Sequence, residues 1–407
     1  VIPLKATDHV IVVGAGVAGW RFVESLRREG YEGALTLIGE EPHLPYDRPP
    51  LSKQVLAGKW HIDKATLASE EHLARSMASV RLGVRATRLD VDATTVELAN
   101  GTSIVGTHVV LAVGARARPL AFASSGALPT LRHRDDVVHL ARAFASLESG
   151  SVVAVIGGGF VGAEAATSIK ARGLTPVVLE AASRPLIAVL GDEVSRWLFR
   201  LASDAGIDLR TDQVVTDVTK RHLGYDVHFA DREPLAARLV VAAVGSTLDL
   251  TWLEGSGLTL DDGIVVDANL EAANRIAAIG DVARFWHTSP AGEELVRIEH
   301  WQVAIDHAAQ LARHWVSGAA SPPLVPYFWS DQYGKKIQLL GRAAPTDDVV
   351  RVSGSPEEGK WLALYSRSGI VTAAISLSQP RGLMLTKPLL EAPTTLHAAL
   401  ALAPWSA

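Results

Sequence analysis

The sequence predicts an α/β protein with two Rossmann-like dinucleotide-binding units, the second inserted into the first, and a small α+β C-terminal domain. Three observations lead there. Two glycine clusters at G-x-G-x-x-G spacing each follow a short apolar run and open a helical segment. Segments that read as the continuation of the first unit come only after the second has ended. A Gly/Ala/Ser/Pro-rich stretch, GAASPPLVP, then precedes a run of strand-like segments. The expected division is residues 5–116 with 246–324 for the first unit, 117–245 for the inserted unit, and 325–407 for the last domain.

Composition narrows the chemistry. The 407 residues are 48% hydrophobic and 20% charged, with a net charge of -5, an ordinary globular balance. Nothing there drives the chain toward nucleic acid, although a local basic patch for an acidic protein remains compatible. Cysteine is absent. That removes disulfide scaffolds, thiolate nucleophiles, redox-active cysteine pairs and cysteine-ligated iron–sulfur clusters together. Redox chemistry would therefore need a bound organic cofactor. No apolar run is long enough to span a bilayer, so no membrane partner is expected. VIPLKATDHVIVVGAG does not read as a signal peptide, because its apolar core, Val10–Val13, is short and runs into a glycine cluster. A cytoplasmic location is the expectation.

Val10–Val13 reads as a buried strand followed by Gly14, Gly16 and Gly19, with Ala18 beside the last. A helix over Val17–Glu29 would aim its first amides at a pyrophosphate. Leu35–Ile38 is the next strand, and Glu40 stands where a ribose-binding acid belongs. A plain strand–turn–helix corner carries the same glycines, but strand, helix and acid together favour a nucleotide site. The second unit repeats the pattern: Val152–Ile156, then Gly157, Gly159 and Gly162, then a helix, then Pro176–Leu179 closed by Glu180. Phe160 and Val161, between those glycines, are contact candidates. A carboxylate at Glu180 accepts from a ribose 2′-hydroxyl and repels a 2′-phosphate, which selects NADH over NADPH. Arg184, four residues on, softens that bias. Glu164 falls in the helix's expected first turn, where an acid is favourable.

Between these units, Ser79–Asp90 and Thr107–Val113 read as strand-bearing segments, and Asp136–Leu147 as a core-facing helix. Val189–Ala205 is an amphipathic helix. Val214–Val218, Asp226–Ala230 and Leu239–Val244 are strands, the last closed by Gly245. Leu258–Asp267 and Ile276–Asp281 return to the first unit, the latter ending in Gly280-Asp281. Lys336–Leu340, Trp361–Ser366 and Gly369–Ile375 read as antiparallel strands.

Pro45-Tyr46-Asp47-Arg48-Pro49-Pro50-Leu51-Ser52-Lys53 resembles the flavin-proximal segment of the FAD-dependent, NADH-dependent ferredoxin reductases that serve bacterial ring-hydroxylating dioxygenases and cytochrome P450 systems. Further resemblances follow in the family's order. Leu111-Ala112-Val113-Gly114-Ala115-Arg116 is similar to its A-T-G-A-R run, with Val113 in place of threonine. Ala278–Asp281 is similar to its G-D motif, Arg297–Ala304 to its R-x-E-x-W-x-x-A segment, and Phe328–Gln332 to its F-W-S-D-Q opening. The tail from Gln379 departs, being rich in Pro, Leu and Ala where relatives carry a charged helical stretch.

The resemblance implies FAD on the first unit, with Arg48, Lys53, Val84, Ala112, Arg116, Gly280, Asp281, His300, Trp301 and Trp329 near it. It implies NADH on the second, Glu164 binding the nicotinamide carboxamide and pairing with Lys53. Both would position the cofactors rather than transfer protons, since hydride transfer is the cofactors' own chemistry. The implied acceptor is a [2Fe–2S] ferredoxin that feeds a P450 or a ring-hydroxylating dioxygenase. Ferredoxins of this kind are acidic, which makes Lys335, Lys336, Lys360 and Arg342 candidates for a docking rim. A monomer or weak dimer is expected. The absence of cysteine rejects disulfide reductases and sulfenate-using NADH oxidases or peroxidases. Rubredoxin reductase, monodehydroascorbate reductase and an apoptosis-inducing-factor-like binding protein survive as alternatives.

Overall fold

The structure, a computed structural model, describes residues 3–122, 124–320 and 323–406. Val1 and Ile2 of the N-terminal segment, Ser321 and Pro322 of the Pro-rich stretch, and Ala123 and Ala407 lie outside the described residues.

The first unit is built on a six-stranded sheet. Its order is Glu271–Ala273, Ile276–Ala278, His108–Leu111, His9–Val13, Ala34–Gly39, Ala78–Leu82. All neighbours are parallel except the first pair. His9–Val13 has one buried side chain after another because helices and loops cover both faces, as parallel sheets require. The chain runs outward from this strand in one direction, and His108–Leu111 then returns on its other side. That reversal opens a crevice at the strands' carboxyl ends, where open α/β sheets bind ligands.

The second unit repeats the layout with four parallel strands: Asp208–Arg210, Thr175–Leu179, Val152–Ile156 and Leu239–Ala242. The reversal again flanks the strand that carries the glycines. Arg116–Ala117 and Ser246–Thr247 pair antiparallel, so the chain leaves the first unit and re-enters it side by side.

The last domain is a five-stranded antiparallel sheet, Tyr327–Gln332, Lys335–Gly341, Ile370–Leu377, Lys360–Arg367, Asp348–Ser355. Lys360–Arg367 is buried on both faces, which is why KWLALYSR does not alternate. One face packs Ile337, Trp361 and Tyr365 against Leu190, Val194 and Leu198 of the second unit's helix Ile187–Asp204. Each large side chain so enclosed contributes about 1.5–3 kcal/mol. That helix differs from the continuous one expected: Gly191, with φ of 75°, breaks it, and a Cβ there would meet Pro345 O at 3.0 Å. The other face packs Leu340, Leu362 and Leu364 against Leu383, Leu389 and Leu390 of the tail, whose short helices account for its Leu-rich composition. The edge strand Asp348–Ser355 and the strand Leu235–Ala237 were not foreseen. The first puts Val349 and Val350 side by side and ends in SGS, and the second, LAA, is three residues long, so neither shows a period of two.

Candidate functional site

The two glycine loops are near copies in their packing. Gly14 and Gly157 have φ of 115° and 105°, and a Cβ on them would stand 2.2 Å from Ala112 O and 2.4 Å from Ala243 O. A Cβ on Gly19 or Gly162 would lie 1.9 Å from Gly14 O or 2.0 Å from Gly157 O. These four hold strand, loop and helix in contact. Gly16 and Gly159 have nothing within 4 Å of a Cβ, so each opens toward space in which a ligand's phosphates can approach the backbone. Each following helix, Val17–Arg28 and Phe160–Ala171, starts without a side-chain cap and without an acid in its first turn. Their first amides are therefore available to an anion. These features fit dinucleotide pyrophosphates at both loops.

A cleft enclosing about 330 Å³ runs from the first loop to the second unit's helix. Gly14, Gly16, Ala18, Glu40, Arg48, Lys53, Val84, Ala112, Arg116, Asp281, Trp301 and Trp329 line it, and Phe160, Val161 and Glu164 close it from the second unit. Gly19 sits behind the wall. Gly157, Gly159, Gly162, Glu180 and Gly245 belong to the second loop and its surroundings, outside this cleft. Gly280, with φ of 73°, lies against Ala18 and Ala304 and turns Asp281 into the cleft.

Lys53 is carried on a single π-helical turn, Leu51–Val55, a shape that proline-rich sequence does not announce. Its Nζ lies 2.8 Å from Glu164 Oε2, the two side chains being 11% and 6% exposed. Ser52 donates to the same oxygen at 2.5 Å, and Ser330 donates to Oε1 at 2.6 Å. Glu164 is the fifth residue of its helix, past the first turn where the sequence put it. Its carboxylate is therefore held by these donors rather than by the helix terminus. Glu180 accepts from the amides of Gly158 (2.7 Å) and Ala182 (2.8 Å), which fixes its carboxylate against the second loop.

At the cleft's first-unit end, Arg48 donates to Glu41 (3.0 Å) and to Arg132 O (2.7 Å). Tyr46 donates to Glu41 at 2.5 Å. Burial opposes ionisation of Glu41, but His133, Arg48 and Tyr46 outweigh it and bring its carboxyl down to about 2. Glu40 is exposed at the mouth and accepts from Arg116 at 2.5 Å. The Val84 amide is already bonded to Gly39 O, leaving its carbonyl to offer. Trp301 donates to Asp47 at 2.7 Å and meets Trp329 edge-on at 5.5 Å.

Four residues depart from the sequence reading. Arg132 was not singled out, yet it lines the cleft and binds both Asp281 (2.8 Å) and Ala115 O (3.0 Å). Its surroundings, RHRDD, read only as a helix start. His300, which the resemblance puts near FAD, does not line the cleft; it precedes the helix Trp301–Ser317 and packs its ring on Phe328 at 5.0 Å. Two members of the basic rim are paired, Lys336 with Asp331 and Arg342 with Glu294. Among the described residues no group of acids and histidines is arranged for a metal, and no helix is long and apolar enough to cross a membrane.

A half-buried histidine, His300, and a buried one, His307, near this cleft set an acid limit on stability. Burial pushes His300 down to about 4 and His307 down to about 3, with Asp281 opposing. His307 Nδ1 accepts from the Gly280 amide at 3.3 Å, so a proton there breaks the turn's bond. The folded state resists protons that the unfolded chain takes up below about 6.5, so stability is full above that pH and falls as pH drops toward 4 and 3. Melting of the flavin-loaded protein should shift down from pH 7 to pH 4.5, and less steeply in His307→Phe. An unchanged melting temperature across that range contradicts the assignment.

The pyridine nucleotide-disulphide oxidoreductase family matches residues 8–308, and the reductase C-terminal family matches residues 327–405, tail included. The chain is 32% identical over 395 residues to the ferredoxin reductase component of chlorobenzene dioxygenase from Cupriavidus sp. (strain PS12), covering 96% of this chain and 94% of that one. A solved covalent complex of putidaredoxin reductase with putidaredoxin aligns with a TM-score of 0.89 at 29% identity, covering 95% of this chain and 93% of that one. A ferredoxin reductase from Rhodopseudomonas palustris aligns with a TM-score of 0.88 at 32% identity over 97% and 98%.

Proposed function

The chain belongs to the pyridine nucleotide-disulphide oxidoreductase family, and we propose on that premise that it is an NADH-dependent ferredoxin reductase. It takes a hydride from NADH onto FAD and passes electrons singly to a [2Fe–2S] ferredoxin, which feeds a cytochrome P450 or a ring-hydroxylating dioxygenase. The family's disulphide chemistry is closed to a chain with no cysteine. One observation carries the reading: a single cleft is lined by the first glycine loop and by the second unit's Phe160, Val161 and Glu164. Dinucleotides held on the two loops would meet end to end in it.

FAD, when bound, supplies the change from a two-electron donor to a one-electron acceptor. The chain's part is placement. The first loop and helix Val17–Arg28 would hold the FAD pyrophosphate, while Arg48, Arg132 and Asp281 fix charge along the cleft. Lys53 and Glu164 would hold the nicotinamide end in register, and Trp301 and Trp329 wall the side toward the last domain. Glu180, aimed by Gly158 and Ala182, would accept from the NADH ribose and repel a 2′-phosphate. Arg184 is drawn to Asp192, away from that task. We place the protein in the cytoplasm, where NADH and its ferredoxin are available; cell fractionation tests this.

The test is reduction of cytochrome c by the yellow protein with NADH, with and without a [2Fe–2S] ferredoxin. Turnover should require the ferredoxin, and NADPH should be at least about tenfold poorer, a difference of about 1.4 kcal/mol. Turnover on rubredoxin or monodehydroascorbate but on no ferredoxin favours those alternatives. Absence of turnover with every acceptor favours a binding protein.

A further inference from the structure

We propose that Ser330, from the last domain, is a positioning residue for the nicotinamide: it sets the direction in which Glu164 offers its one uncommitted lone pair. The inference rests on the reading above that Glu164 receives the carboxamide of NADH.

Glu164 is 5% exposed, and a carboxylate so enclosed persists only with charge and hydrogen-bond partners. Its Oε2 has two, Lys53 and Ser52. Its Oε1 has one among the described residues, Ser330. A carboxylate has about four acceptor positions, so one remains on Oε1, the oxygen of a residue that lines the cleft. Where that position points depends on how the carboxylate is rotated, and Ser330 is what holds Oε1.

The direction of the Ser330 bond is itself determined. Gln332 donates to Ser330 Oγ at 3.1 Å, so the hydroxyl accepts from one side and turns its proton to Glu164. Ser330 is 0% exposed and Gln332 2% exposed, so water does not compete for these bonds. The helix Phe160–Ala171 meets the same hairpin at two further points, about one turn to either side of Glu164. Phe160 packs on Phe328 with ring centroids 4.4 Å apart, and Thr167 accepts from the Tyr333 amide at 2.9 Å. The hairpin is thus fixed to the helix on both sides of Glu164, and Ser330 can aim the carboxylate without moving.

A carboxamide presents an N–H that Glu164 can accept, whereas reduced 3-acetylpyridine adenine dinucleotide has a methyl there. The native protein should therefore prefer NADH over the acetylpyridine nucleotide in the rate of flavin reduction, followed by stopped-flow bleaching. Ser330→Ala should narrow that preference by about tenfold, the scale of a misaimed contact of this kind, with flavin content unchanged and melting lowered by no more than a few degrees, since Glu164 Oε1 and Gln332 each lose a partner. In a Glu164→Ala background the same change should narrow it no further. If Glu164→Ala alone leaves the native preference intact, the reading of Glu164 fails. If Glu164→Ala abolishes the preference and Ser330→Ala does not alter it, the Ser330 inference fails alone. A Ser330→Ala that slows both nucleotides equally also overturns it, since a structural defect has that signature. Ser330→Cys, close to serine in shape but a weak donor, replaces the alanine variant if that one loses flavin.

Discussion

Lys53→Met is expected to lose stability and reduction rate together, and Lys53→Met/Glu164→Leu to recover only the first. The ammonium and carboxylate stand 2.8 Å apart with 11% and 6% of their side chains exposed. Removing the cation leaves a charge in a poorly solvated place with two hydroxyl donors, and breaking one side of such a pair costs about 3–5 kcal/mol. Melting should fall on the order of 4–6 °C for a chain of 407 residues, with the flavin still bound. Replacing both members by apolar side chains of similar size removes the uncompensated charge, and exchanges of that kind are often neutral. Melting should therefore return most of the way. Flavin reduction by NADH should stay slow in both variants, by about a hundredfold, because neither can hold the nicotinamide in register. Stopped-flow reduction and thermal melting of the two proteins separate the roles. A double variant as unstable as the single one means that the pair does not account for the loss. A single variant reduced at the native rate means that Lys53 does not position the nucleotide.

What the sequence revealed, and what it did not, follows from the range of the interactions concerned. The glycine loops were legible because strand, turn, helix and acid lie within one short stretch, and each glycine answers a local backbone demand. The insertion was legible from the order of those stretches. Local pattern does not encode which side chain meets which across the fold. Arg132 finds Asp281 across 149 positions, and Ser330 finds Glu164 across 166. Ser330 was seen as part of F-W-S-D-Q, but nothing in that run of residues shows that its hydroxyl would serve the inserted unit. The π-helical turn under Lys53 was hidden for another reason: prolines at 49 and 50 argue against a regular helix and do not specify what replaces it. The rim lysines and arginine were countable, but their pairing with Asp331 and Glu294 was not.

The equivalence of the two loops yields the sharpest separation of cofactors. Gly19→Ala should cost the protein its flavin, and Gly162→Ala should leave it yellow but unresponsive to NADH. In each case the new Cβ would lie 1.9 or 2.0 Å from a backbone carbonyl, that of Gly14 or Gly157. A backbone atom cannot rotate away, so the loop itself must shift, and the phosphate cradle shifts with it. The effect is confined to one unit because each loop is pinned to its own sheet, by Ala112 O in one case and Ala243 O in the other. For Gly162→Ala we expect a native flavin spectrum, normal bleaching by dithionite, and reduction by NADH slowed about a hundredfold or more. Gly159→Ala supplies the contrast. Its Cβ meets nothing within 4 Å and its φ of -70° suits any residue, so melting should be native while NADH binds more weakly. Only the approach of a bound pyrophosphate is obstructed there. Loss of flavin in Gly162→Ala, or native NADH affinity in Gly159→Ala, would place the nicotinamide cofactor somewhere other than the inserted unit.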